Sequence, residues 1–314
     1  MKTADKSSNA SLAISSAFVF SSSSEQSPLH LFWKRFRKHK MALAGMIILL
    51  LITLLVLFAP LTASYDPMKQ DLLNRFQPPS AKHWLGTDDL GRDLWSRVLY
   101  GGRISLSVGL LSMNVAIFLG TLIGLSSGYF GGWIDSILMR LTEIFLSTPR
   151  LFVLIVLGMF LRTLDLPNLQ AGSFLPIAIV IGGLSWMGTA RLVRASTLAL
   201  RERDFVQASR ALGSSHARIL FRHILPNIAS PIIVSATLGL SSAIISESGL
   251  SYLGFGVQLP TPTWGNMLSN TQSQMTTAPW TAIFPGMMIF LVVISINYIG
   301  DGLRDALDPR HISR

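Results

Sequence analysis

The chain has 314 residues, of which 50% are hydrophobic and only 13% are charged, and its mean hydropathy is +0.48. Soluble domains carry about 25% charged residues, so this composition favours a membrane protein over a soluble one. The chain has no cysteine, which excludes a disulfide framework, Cys-ligated zinc and a thiol nucleophile. Because the net charge of +10 collects at the ends of apolar runs, it favours contact with membrane lipid and argues against nucleic acid.

The N-terminal residues 1–31 are serine-rich with few bulky side chains, which predicts a disordered tail. Residues 32–60 follow as a basic flank and a first apolar span, which carries no charge between positions 41 and 59. By the positive-inside rule, the basic flank places the tail in the cytoplasm. The residues of that flank are Lys34, Arg35, Arg37, Lys38 and Lys40.

Further apolar runs follow, so the sequence predicts an all-α membrane protein with about six transmembrane helices. The predicted spans are residues 41–59, 104–129, 137–161, 174–191, 228–253 and 282–299. Because an even number of spans returns the chain to its starting side, we expect residues 310–314 to be a cytoplasmic C-terminus. Residues 103–309 are the predicted core domain.

Residues 61–102 join the first two spans and are expected to be an extracytoplasmic loop. Their basic residues run against the positive-inside rule, although nearby aspartates almost balance them. His83, Asp88, Asp89 and Asp93 are candidate metal ligands by residue type. Their spacing matches no recognised site, so turns and salt bridges are the favoured interpretation.

A polar segment at residues 201–226 lies between the fourth and fifth spans, and its charges exclude it from the hydrocarbon. Phe205, Ala208 and Leu212 recur at helical spacing, and Gly213 suits a left-handed helix end. Ser214 and Ser215 are N-cap candidates for a second helix, which Pro226 is expected to stop or redirect. The pattern is that of an amphipathic helix pair, either a docking surface for a soluble partner or a helix on the lipid interface.

This segment resembles the cytoplasmic loop of ABC-importer permeases that is named for its Glu-Ala-Ala motif. In that family the motif is followed by three residues, Gly, nine residues and Ile-x-Leu-Pro. Here Gln207, Ala208 and Ser209 take the motif positions, and Gly213 and Pro226 match in spacing. Gln replaces Glu, Ser replaces the second Ala and His223 replaces Ile. The resemblance implies an ATPase-coupling loop formed by Gln207, Ala208, Ser209, Arg210, Ala211, Leu212, Gly213, Ser214, Ser215 and His216.

Three other runs resemble the C-type subunit of the peptide/nickel branch of these permeases. They lie at residues 83–103, 247–267 and 297–309. The resemblance implies the type I importer fold in a bacterial inner membrane, and a dipeptide or oligopeptide, a glutathione-like molecule or a nickel complex as substrate. It also implies a second, related permease subunit, two cytoplasmic ABC ATPases and an extracytoplasmic substrate-binding protein. Sequence alone leaves open whether the permease pair is a homodimer or a heterodimer.

Charged or adaptable residues inside the apolar runs are candidates for a translocation path, since an intramembrane ion is costly and usually faces a cavity or partner. The candidates are Arg150, Met187 and Glu247. For Arg150 the alternative is a position near a membrane surface, and for Glu247 it is structural hydrogen bonding. For Met187 the alternative is packing, which is the more frequent role of such a residue.

Enzyme functions find little support in the sequence. No Gly-Lys-Ser/Thr phosphate loop and no His-Glu-x-x-His motif occur, so we expect no catalytic residue, no cofactor bound by this chain, and ATP use only by partner subunits. An ion-coupled secondary transporter is the alternative function. It would require intramembrane titratable groups and usually internal repeats, whereas the spans offer one glutamate and no convincing repeat.

Overall fold

The computed structural model describes residues 28–163, 173–269 and 271–307, and within these ranges the chain is helical with no β-strand. The helices of the first half are α1 (Pro28–Phe36), α2 (Lys40–Leu57), α3 (Ala59–Thr62), a 3-10 turn (Leu72–Asn74), α4 (Leu94–Phe130), α5 (Gly132–Ser147) and α6 (Arg150–Thr163). Those of the second half are α7 (Leu175–Gly183), α8 (Trp186–Arg201), α9 (Asp204–Ala211), α10 (His216–Arg218), a π-helical turn (Ile219–Ile224), α11 (Leu225–Asn227), α12 (Ala229–Tyr252), α13 (Trp264–Met267), a 3-10 turn (Thr271–Gln274) and α14 (Trp280–Leu307).

Four of these helices, α2, α4, α12 and α14, are long and apolar enough to cross a membrane unbroken, and the count rises to six if each of two bent helix pairs is one span. The predicted third span is wrong as a single helix, because α5 and α6 meet at an angle of 94°. Pro149 lies at this break, where it cannot donate a helical hydrogen bond and disfavours helix in the residue before it. The predicted fourth span is bent by 42° between α7 and α8.

Helix α4 is the centre of the fold, and at about 1.5 Å per residue its 37 residues extend about 55 Å, well beyond the hydrocarbon core. It starts at Leu94, and the side chain of its N-cap residue Asp93 accepts a hydrogen bond from the backbone N–H of Ser96. The predicted boundary between loop and core at residue 102/103 falls inside this helix. The apolar stripe of Leu94, Val98 and Leu99 is buried, which favours helix from the first turn.

Small residues bring α4 close to α8. Gly120, Gly124 and Gly128 recur every four residues on one face of α4. A Cβ atom on Gly124 would lie 2.5 Å from the carbonyl oxygen of Ala190, so only glycine permits this approach. Membrane helices associate largely through such close backbone packing, and here it couples α4 rigidly to α8.

The predicted tail is corrected at its C-terminal end, because α1 begins at Pro28 rather than after residue 31. Phe36 of this helix is buried against Ala42 and Ala306, which ties α1 to α2 and α14. The remainder of the tail, residues 1–27, and the predicted C-terminal residues 310–314 lie outside the described residues.

One end of the helix assembly is covered by residues 63–93 and 253–279, which we call the cap. Asp88 accepts a hydrogen bond from Arg92 Nε at 2.7 Å and lies 3.2 Å from Arg97 Nε, and all three side chains are buried. Trp264 is fully buried and donates from its indole nitrogen to the carbonyl oxygen of Val98 at 2.9 Å. The cap is thus fixed to the start of α4 by paired charges and by an aromatic anchor.

Candidate functional site

The 201–226 segment lies at the other end of α4 and presents the predicted apolar face of α9 to the outside. Phe205 and Ala208 are exposed and Leu212 is 87% exposed, whereas Val206 and Ser209 of the same helix are buried. Val206 packs in a cluster with Leu125 and Val193, which holds α9 against α4 and α8. An outward apolar face on a well-anchored helix is a feature of a docking surface.

The turn after α9 has the predicted local structure. Gly213 has φ +77°, and its N–H donates to the carbonyl oxygen of Arg210, while the N–H of Ser214 donates to that of Ser209. Ser215 caps the next helix by accepting from the N–H of Arg218 at 3.4 Å. Because no atom would lie within 4 Å of a Cβ on Gly213, backbone conformation and not space is what favours glycine here.

The second half of the segment is anchored through Ile219, Leu220 and Ile224, all of which are buried. His223 is only half-buried. Pro226 lies in the first turn of the short helix α11, which ends at Asn227 and is followed by α12 from Ala229. At this position the missing N–H of proline costs little.

A contact that sequence reasoning missed joins this segment to the end of α4. Tyr129 is buried, and its hydroxyl lies 2.9 Å from Nδ1 of His216. The guanidinium of Arg210 lies 5.7 Å from the centre of the same ring. The predicted coupling residues Arg210 and His216 are therefore both in contact with the central helix of the fold.

Gln207 uses its amide where the family motif has a carboxylate. Its Nε2 lies 3.3 Å from the carbonyl oxygen of Arg201 and 3.4 Å from a carboxylate oxygen of Glu202. Glu202 in turn pairs with Arg201 Nε at 2.8 Å. A carboxylate of the same segment thus lies next to the motif position.

A second feature is a groove lined with hydroxyl groups between α8 and α12, with a volume of about 930 Å³. A smaller recess of about 80 Å³ continues it toward α4 and shares several lining residues with it. Thr189 Oγ1 and Ser235 Oγ lie 3.1 Å apart across the two helices. We call the two together the hydroxyl groove; it is lined by Ser185, Thr189, Ser235, Gly239 and Ser242, with Arg150 and Arg304 at its ends.

The three candidate path residues take different positions relative to this groove. Arg150 lines it and donates to Ser185 Oγ at 2.8 Å. Met187 is 7% exposed and packs with Trp186 and Ala190, and it does not line the groove. Glu247 is fully buried and does not line the groove either; it accepts hydrogen bonds from Ser251 Oγ at 2.7 Å and Ser105 Oγ at 3.0 Å.

The groove residues follow a sequence pattern that could have indicated the groove. Ser235, Gly239 and Ser242 recur at helical spacing on one face of α12, and Ser185, the N-cap of α8, and Thr189 are also one helical turn apart. Such a polar stripe marks a helix face that avoids lipid. The candidate metal ligands of the cap, by contrast, are paired with one another or with arginine, since His83 Nδ1 lies 2.9 Å from Asp93 and Asp88 binds Arg92.

Comparison with known families gives two matches that together cover most of the chain. Residues 120–313 match the family described as binding-protein-dependent transport system inner membrane component. Residues 27–79 match the N-terminal transmembrane domain of oligopeptide transport permease C.

Individual relatives agree with this assignment. The dipeptide transport system permease protein DppC of Alkalihalophilus pseudofirmus is 45% identical over 90% of this chain and 90% of its own length. The oligopeptide transport system permease protein OppC of Bacillus subtilis is 41% identical over 88% and 90%, respectively. The glutathione transport system permease protein GsiD of Pectobacterium atrosepticum is 39% identical over 93% and 94%.

Among solved structures, the inward-facing MetNI methionine ABC transporter resembles this fold. The superposition covers 67% of this chain and 96% of that chain, with a TM-score of 0.51 and 19% sequence identity. At this identity the likeness concerns the fold alone.

Proposed function

Because the chain belongs to the family of inner membrane components of binding-protein-dependent transport systems, we propose that it is one of two permease subunits of an ATP-driven importer of dipeptides or oligopeptides. Its relatives are named for dipeptides, oligopeptides and glutathione, and all of these substrates are short peptides. A short, soluble peptide needs hydrogen-bond partners along its path across the hydrocarbon, and the serine and threonine hydroxyls of the groove offer them.

The single observation that carries this proposal is the outward face of the 201–226 segment. Leu212 is exposed beside a cationic surface that includes Arg210 and Arg218. Phe205 of the same helix is exposed as well, and a soluble ATPase that docks on this face would bury both side chains. In this proposal the segment is cytoplasmic, and movement of the ATPases is transmitted through Tyr129 and Val206 to α4 and α8.

The remaining subunits follow from having one segment and one groove per chain. A two-fold transport path then needs a second permease, which we propose is a related but different chain, together with two cytoplasmic ATPases and an extracytoplasmic binding protein. ATP would be hydrolysed by the ATPase subunits and not by this chain. Alternating access between the two sides of the bacterial inner membrane is the expected mechanism.

The test is uptake of a labelled peptide into proteoliposomes that contain all of these subunits, compared with vesicles in which one is omitted. ATP-dependent uptake only by the complete set supports the proposal. Full uptake without a second permease would overturn the heterodimer, and uptake without any ATPase would overturn the ATP-driven mechanism. Gly213→Asp in the complete set should abolish uptake while the chain still inserts, because it adds backbone strain and a charge at the docking surface.

The sidedness of the chain can be tested independently, since it contains no cysteine. Ser80 is an exposed residue of the cap, which we propose is extracytoplasmic, with both termini in the cytoplasm. In right-side-out vesicles, Ser80→Cys should react with a membrane-impermeant thiol reagent. Reaction only after the membrane is disrupted would reverse the proposed orientation.

A further inference from the structure

Both broken spans meet at Arg150. The break between α5 and α6 ends at this residue, and the break between α7 and α8 contains Ser185, which accepts the hydrogen bond from Arg150 Nη2. Non-helical backbone at membrane depth is tolerated where it lines a cavity or is buried in protein. In discontinuous membrane helices, the exposed N-terminus of the second half is suited to contact an anionic group of a substrate.

The depth of Arg150 is set by its neighbours in the groove. They include Ser112 and Ala116, which lie at the middle of α4, and Gly239 and Ser242, which lie near the middle of α12. Arg150 is therefore near the midplane of the helix assembly and not at a membrane surface. A guanidinium at this depth is costly unless an anion or a polar cavity compensates it.

Within the described ranges, no acidic side chain balances the charge of Arg150. Neither Arg150 nor Arg304 forms an ion pair with a described residue, and no aspartate or glutamate of the described ranges lines the hydroxyl groove. Arg150 donates to one serine hydroxyl, that of Ser185, which leaves most of the guanidinium N–H groups free to bind an acceptor. A single negative group bound in the groove would therefore neutralise the unpaired charge of Arg150.

We propose that Arg150 binds the C-terminal carboxylate of a peptide in transit, with the hydroxyl groups of Ser185 and Thr189 beside it. This inference rests on the proposed peptide transport and adds a specificity determinant to it. A planar guanidinium holds a carboxylate through two parallel hydrogen bonds, and the N-terminus of α6 adds a favourable partial charge. The hydroxyls of α8 and α12 then offer the peptide backbone successive hydrogen-bond partners toward Arg304 at the other end of the groove.

The experiment compares trialanine with trialanine amide, which lacks the terminal negative charge. Uptake of each is measured with the complete transporter in proteoliposomes, for the unmodified chain, Arg150→Gln and Arg150→Lys, always with the same binding protein. Because the binding protein is unchanged, its own preference cancels when the ratio of the two uptake rates is compared between variants. Arg191→Gln is the matched control, since Arg191 is an exposed arginine of α8 that does not line the groove.

Arg150→Gln should lower trialanine uptake about tenfold relative to trialanine amide, which is the range for losing a charge-assisted hydrogen bond. Arg150→Lys should restore part of the ratio, and Arg191→Gln should leave it unchanged. An equal loss for both peptides, as expected if Arg150 instead pairs with an acid of the second permease, would overturn the inference. If the unmodified transporter imports neither peptide, the proposed function itself fails; if it imports both and no variant alters the ratio, only the role of Arg150 fails.

Discussion

The cap and the 201–226 segment lie at opposite ends of α4, and they differ in how far their charged side chains are buried. The cap encloses one charge cluster at the start of α4, in which buried Asp88 pairs with the buried side chains of Arg92 and Arg97. Asp71, on the surface of the cap, is also engaged, since a hydrogen bond from Asn74 lowers the pKa of its carboxyl group. The 201–226 segment instead leaves Leu212 and its arginines in the open.

This difference separates charges that are paired inside the protein from charges that face outward. In the cap, burial of an ion pair costs desolvation, and good geometry with further hydrogen bonds must compensate for that cost within the chain. In the 201–226 segment, only the inner face is packed against the rest of the protein, through Val206, Ile219 and Ile224. We infer that substitutions in the cap act mainly on stability, whereas substitutions on the outer face of the segment act mainly on a partner.

The largest loss of stability is expected at the aromatic anchor of the cap. Trp264→Ala removes a fully buried ring that packs closely against Gly102 and leaves the carbonyl of Val98 without its donor. Large-to-small changes of this kind cost about 3–5 kcal/mol. The free energy of unfolding in mixed micelles measures the effect, and Trp133→Ala, which changes a ring that is 73% exposed, is the control. Equal losses for the two variants would remove the distinction between anchor and surface.

A smaller but still large loss is expected when one member of the buried charge cluster is removed. Asp88→Ala leaves two buried guanidinium groups without their shared carboxylate, which should cost about 3 kcal/mol. The adjacent Asp89 is 46% exposed and contacts Arg92 only at 3.4 Å, so Asp89→Ala should change stability by less than about 0.5 kcal/mol. The same unfolding measurement applies to both. If Asp88→Ala is as mild as Asp89→Ala, the cap is not held by its ion pairs.

The parts of this architecture that local chemistry determines were predictable from sequence. A long uncharged run such as that of α2 can only be a span, and Gly213 before Ser215 predicts a helix end and a new cap wherever it lies in the fold. The 94° break was less accessible: Pro149 permits a bend, but the angle is set by what α5 and α6 pack against.

Contacts between distant residues were out of reach for the same physical reason. Tyr129 and His216 are 87 positions apart, and nothing in either neighbourhood predicts that they meet. The hydroxyl groove likewise needs α8 and α12 side by side before their serines and threonines form one surface. The direction of the apolar face of α9 was ambiguous too. The helical spacing of its apolar residues does not show whether they face the protein core or a partner protein.

The smallest effect on stability, and the clearest separation of the two regions, is expected for Leu212→Ser. The side chain is 87% exposed, so the free energy of unfolding should change by less than about 0.5 kcal/mol. If an ATPase buries this leucine on docking, losing it should weaken binding by about 1.5 kcal/mol, roughly tenfold in the dissociation constant. Binding of the purified ATPase to the reconstituted permease pair measures this loss directly.

The matched control is Leu220→Ser, which changes the same residue type within the same segment but at an 8% exposed position. It should cost about 2–5 kcal/mol of stability, because Leu220 fills the cluster under the segment. Unchanged ATPase binding by a stable Leu212→Ser permease would show that the exposed face of α9 is not where the partner docks. The docking surface would then have to be sought on the exposed side of α10 and the π-helical turn, where Arg218 and Phe221 face outward from the same buried anchor.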